Sequence, residues 1–125
     1  MFNDLIGLRY GWHCRPNDGT GKTDCFQLVC EARRRLGMSD YAPRFEWVYS
    51  VYDEFSLPPR QILRWLRENG KKSPARTGSF LIFPGARVGA LGILTDHGIL
   101  FIGPGGSVVH LPPDVIKLHS YWMKP

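Results

Sequence analysis

Apolar positions recur at helical spacing in the first half of the chain and crowd into short runs between Gly and Pro in the second. Phe26, Val29, Cys30, Arg33 and Leu36 follow a period near 3.6, which predicts a helix from about Asp24 to Leu36 with Gly37 as its stop. A polar-aromatic connection, Met38 to Phe55, carries Phe45, Trp47, Tyr49 and Tyr52. Ile62, Leu63, Trp65 and Leu66 give an apolar side to a second helix, Pro58 to Asn69, with Ser56 or Leu57 at its cap, prolines in its first turn and Gly70 after it. Lys71 to Thr77 reads as a basic loop.

From Gly78 onward the pattern predicts strands. Ser79–Phe83, Ala90–Thr95, Gly98–Gly103 and Ser107–Leu111 read as successive antiparallel strands, with Val115–Trp122 as a last one. Asp96-His97-Gly98 marks a tight hairpin turn and Gly103-Pro104-Gly105-Gly106 a looser one. Helices segregated from an antiparallel meander give an α+β fold.

At 125 residues, 43% of them hydrophobic, the chain is expected to form one domain, residues 1–125, with an ordinary core. The longest apolar run is too short for a membrane span, and Met1-Phe2-Asn3-Asp4 lacks a signal-peptide pattern. Three cysteines, Cys14, Cys25 and Cys30, cannot pair completely and lack Cys-x-x-Cys spacing, which argues against a disulfide scaffold or structural zinc. No metal or cofactor is implied. The net charge of +5 raises nucleic acid as a partner, but the basic residues are scattered and accompany no nucleic-acid motif; Arg33-Arg34-Arg35 reads as a solvated helix face.

Candidate chemistry centres on Thr23-Asp24-Cys25-Phe26-Gln27-Leu28-Val29, where a Gly-rich loop, Asp18 to Lys22, gives way to the first helix. A thiol in the first turn meets unpaired N–H groups and the positive end of the helix dipole, and ionises below its ordinary ~8.5. The competing reading is a small buried hydrophobe. Asp24 is equally placed to cap the helix.

A cysteine at a helix start followed by an antiparallel sheet resembles papain-like thiol hydrolases, and more narrowly the NlpC/P60 cell-wall peptidases, including those of phage tails. Gly7-Leu8-Arg9-Tyr10-Gly11-Trp12 is similar to that family's opening G-x-x-Y-x-W/G. Asp24-Cys25-Phe26-Gln27-Leu28-Val29 matches D-C-S-G-L-V at four of six positions, and Gly78 to Phe83 resembles G-D-L-V-F-F. The resemblance implies N-terminal helices packed on a C-terminal sheet, Cys25 as nucleophile, its backbone N–H in the oxyanion hole, and Tyr10 and Asp24 lining the cleft, the Asp helping to hold a stem peptide's free amine.

The catalytic histidine admits two registers against H-V-G-I-Y-x-G-x-G-x-x-I-H-A. Without a gap, Gly92, Ile93 and Gly98 align and the two polar positions become Ala90 and Ile102, leaving no base. Deleting one residue instead brings His97 to the first of those positions and His110 near the second, and gives a Cys25–His97–His110 site, at the cost of a register slip that turns every side chain over unless a bulge absorbs it. His13 and His119 fall outside any matching motif.

Three functions follow as expectations. The first is a structural or binding module with a degenerate site, partnered by other virion-tail or envelope-assembly proteins, in the virion tail or, during assembly, the host cytoplasm. Exposed-looking aromatics in Phe45–Tyr52 suit such docking. The second is an active endopeptidase cutting the γ-D-glutamyl–diamino acid bond of peptidoglycan stem peptides. The third, a small basic nucleic-acid-binding protein, ranks last.

Overall fold

A computed structural model describes residues 1–83, 91–112 and 119–123. Two short strands, β1 (Arg9–Tyr10) and β2 (Lys22–Thr23), pair in parallel ahead of helix α1 (Cys25–Arg35). Short helices α2 (Ala42–Phe45) and α3 (Val48–Val51) lead to α4 (Pro59–Asn69). Strands β3 (Gly70–Lys72), β4 (Phe80–Ile82), β5 (Leu91–Thr95), β6 (Gly98–Ile102), β7 (Val108–Leu111) and β8 (His119–Met123) form one sheet in the order β3-β8-β4-β5-β6-β7. The fold is α+β, with its larger sheet antiparallel throughout.

Helix α1 begins where Asp24 Oδ1 accepts the Gln27 N–H at 2.8 Å. It ends at Leu36, with Gly37 in the left-handed region at φ 74°. Its inner residues Leu28, Val29 and Ala32 pack against one sheet face, which presents Phe80, Ile82, Ile93, Leu100 and Ile102. The opposite face carries a second cluster around Leu81, Ile99 and Phe101, with Phe83 stacked on Phe101 at 4.8 Å. Apolar residues on both faces account for the unbroken run Ile99-Leu100-Phe101-Ile102, where a half-buried strand would alternate.

The β5–β6 hairpin pairs Thr95 with Gly98 around Asp96-His97, the turn the sequence predicts. Gly98 is required there: its φ is +133°, and a Cβ would collide with the Leu111 carbonyl.

Several expectations shift. The basic loop contributes β3, which extends the sheet by pairing with β8. The last strand lies between β3 and β4; of the predicted Val115–Trp122, residues 115–118 lie outside the described residues. The expected strand Ala90–Thr95 is described from Leu91, and Ala90 also lies outside.

The arginine triplet is not a free solvated face. Arg33 is fully buried, donating to Gly78 O at 3.0 Å and Ser39 O at 3.2 Å beneath the rings of Tyr41 and Phe80. Arg34 bridges Glu31 and Asp40, and Arg35 bridges Glu31 and Asp4. These guanidiniums are engaged within the chain, which weakens the nucleic-acid reading. Among the described residues, no helix is long and apolar enough to cross a membrane.

Candidate functional site

Cys25 is the first residue of α1 and opens onto a cleft of about 270 Å³ between α1, the α2–α3 segment, α4 and the sheet. Trp65, Phe26, Phe45, Leu66 and Phe80 make much of the wall. Tyr10, Asp24 and Cys25 all line this cleft.

The thiol does not behave as its position on the helix predicts. Burial, then the neighbouring Asp24 charge, pushes its pKa up to about 12. Backbone hydrogen bonds from Leu91, Phe26 and Cys25 itself pull the other way and lose. A helix terminus favours a thiolate by about a kilocalorie at an exposed site, whereas removing a charge from water costs several. At neutral pH Cys25 is therefore a thiol.

Asp24 is only 2% exposed and both its oxygens are engaged. Oδ1 caps α1, while Oδ2 accepts the Tyr49 hydroxyl at 2.6 Å and the His13 N–H at 3.0 Å. His13 sits at φ 63°, an uncommon conformation for a non-glycine residue, and so directs its N–H at the carboxylate. Burial raises the Asp24 pKa in spite of these three donors. The helix-cap reading of Asp24 holds in the geometry, and both oxygens already accept hydrogen bonds from within the chain.

Tyr49 links the α2–α3 segment to this cap. Its ring stacks on His13 at 4.0 Å and meets Trp12 edge-on at 5.0 Å. His13 Nε2 in turn lies 2.5 Å from Glu46 Oε1. Burial and the Asp24 charge hold the Tyr49 phenol protonated. Tyr10 is raised too, by burial and then by the Glu54 carboxylate beside it.

The candidate histidines lie elsewhere. Leu91, whose backbone meets the thiol, begins β5; Thr95 ends it, about 13 Å further along at strand spacing. His97 follows in the turn, and His110 approaches Thr95 from β7, with Nε2 2.7 Å from Thr95 Oγ1 and its ring edge-on to Phe2 at 6.0 Å. Thr95 Oγ1 directs its proton to Gly98 O at 2.8 Å, which makes His110 Nε2 the donor of that pair. Cys25, His97 and His110 are thus not brought together: the two histidines occupy the turn end of the hairpin and the thiol the other end. β5 and β6 pair without a bulge from Gly92↔Phe101 to Thr95↔Gly98, so no bulge in that stretch absorbs a slip of register.

In the gapless register, Ile102 is buried in the helix-facing core, and Ala90 lies outside the described residues. Among the described residues, the cleft is lined by no histidine, lysine or arginine. Nor do those residues gather three or more His, Cys, Asp or Glu side chains that could hold a metal ion.

Sequence reasoning missed Glu54, Trp12 and Tyr49 as cleft residues. The signal was partly present in the aromatic run Phe45–Tyr52, read as a docking surface. In the fold Phe45 and Tyr49 turn inward, while Trp47 and Val51 stay exposed. No family model, curated protein or solved structure matches this chain.

Proposed function

We propose that the chain is an NlpC/P60-like domain of papain type that has lost its hydrolase chemistry and acts as a binding or structural module. The motifs it shares with compact tail domains favour a phage tail tip or a similar cell-envelope machine, with other tail or envelope-assembly proteins as partners. One observation carries this reading: the Cys25 thiol is held neutral in an apolar cleft, with His97 and His110 at the far end of the hairpin. A cysteine nucleophile needs a base within hydrogen-bond reach or a lowered pKa, and Cys25 has neither among the described residues.

The second reading, an active γ-D-glutamyl–diamino acid endopeptidase, draws on Tyr10, Asp24 and Cys25 sharing one cleft. Mass spectrometry of a stem tripeptide, L-Ala–γ-D-Glu–diaminopimelate, incubated with the protein or with Cys25→Ala separates the two. The module reading expects identical spectra. Scission at the γ-D-glutamyl bond by the unmodified protein alone would overturn it.

A further inference from the structure

The cleft differs in chemistry from the molecule around it. The chain carries a net charge of +5, yet the charged side chains lining the cleft, among the described residues, are two acids, Asp24 and Glu54. The two are not equivalent. Asp24 is buried and fully hydrogen-bonded, whereas Glu54 is exposed at the mouth beside Tyr10 and next to Phe55, which is 79% exposed. Behind them the wall is aromatic and aliphatic, with Trp12, Phe45 and Trp65 prominent.

Size narrows the occupant further. A volume of about 270 Å³ is slightly below the ~300–1,000 Å³ of drug-sized sites. It can take a large apolar side chain. An apolar body in the aromatic recess leaves its polar end at the mouth, where the available charge is the carboxylate of Glu54. Aromatic rims favour cations for a second reason, since the ring faces carry negative potential.

We infer that the cleft is a docking pocket for a segment of a partner protein that presents a large apolar side chain beside a lysine or arginine, the apolar group entering the recess lined by the contacting rings of Phe45 and Trp65 and the cation meeting Glu54 and Tyr10. This inference rests on the module reading and gives that module's partner a chemistry. It makes no use of Asp24 as an amine ligand, because Asp24 is buried and already accepts three hydrogen bonds.

The test uses three dipeptide probes that differ in their second side chain, acetyl-Phe-Lys-amide, acetyl-Phe-Gln-amide and acetyl-Phe-Glu-amide, titrated while the indole N–H signals of Trp12 and Trp65 are followed by NMR. An exposed ion pair contributes up to about 1 kcal/mol, so the lysine probe is expected to bind about fivefold more tightly than the glutamate probe, with the glutamine probe between them. In Glu54→Gln that preference collapses toward unity while the glutamine probe keeps its affinity. Phe55→Ala weakens all three. Equal binding of the lysine and glutamate probes overturns the inference, as does a preference that survives Glu54→Gln, or no shift of either indole up to about 10 mM probe. A protein that shows the lysine preference and also cuts the stem tripeptide keeps this inference and loses the module reading.

Discussion

The two ends of the β5–β6 hairpin hold the two halves of a thiol-imidazole pair and keep them apart. At the Leu91 end the surroundings are apolar, and a cysteine at a helix start is held as a neutral thiol. At the Thr95 end two histidines sit among hydroxyl and carbonyl groups around a tight turn. Each end has an ingredient the other lacks. The difference shows that nucleophile chemistry is decided by burial and by which side chains the fold brings beside the thiol.

Substitutions should give effects that fall off from the core, through the cap of α1, toward the turn. Ile93→Ala removes a fully buried side chain between α1 and the sheet and is expected to destabilise the fold by about 2–5 kcal/mol, read by urea unfolding. Asp24→Ala is next. It removes the cap of α1 and leaves the Tyr49 hydroxyl and His13 N–H without their acceptor, for about 1–3 kcal/mol, again by urea unfolding. Tyr49→Phe, which leaves the cap in place, should cost about 1 kcal/mol on the same scale.

The turn end should respond to pH instead. His110 is pushed below the ordinary histidine pKa, chiefly by burial, so the folded state favours its neutral form. Its contribution is fully present above the unfolded value of about 6.5 and is lost as pH falls through the lower folded value. Midpoints of urea unfolding should therefore drop between pH 7 and pH 5, and His110→Gln should flatten that drop. A midpoint that rises on acidification would reverse the sign and place a favourable partner on His110. His97→Ala should change stability by no more than about 0.5 kcal/mol and leave Cys25 untouched.

Local chemistry made some of this legible. Asp24 and Gly37 bracket α1 because capping residues act on their own turn. Asp96-His97-Gly98 announced the hairpin for the same reason. Long-range features carried no such signal. The place of β8 between β3 and β4 depends on pairing with residues far along the chain, whereas in Phe45–Tyr52 the inward Phe45, Val48 and Tyr49 do follow helical spacing, with Trp47 and Val51 on the outer side. Arg33 reads as surface in a run of three arginines, yet it is buried under Tyr41 and Phe80. For Cys25 the sign itself reversed: the helix start argues for an ionised thiol, but burial, a property of the whole fold, wins.

The separation of thiol from imidazole is tested most directly by the pH dependence of Cys25 alkylation, followed by peptide mass spectrometry in the unmodified protein and in His13→Ala, His97→Ala, His110→Ala and His119→Ala. The account predicts a reactivity that climbs only in alkaline solution, toward a pKa of about 12, and that none of the four substitutions changes. Reactivity persisting below about pH 6, and lost in any one of them, would reveal a thiolate–imidazolium pair and contradict it.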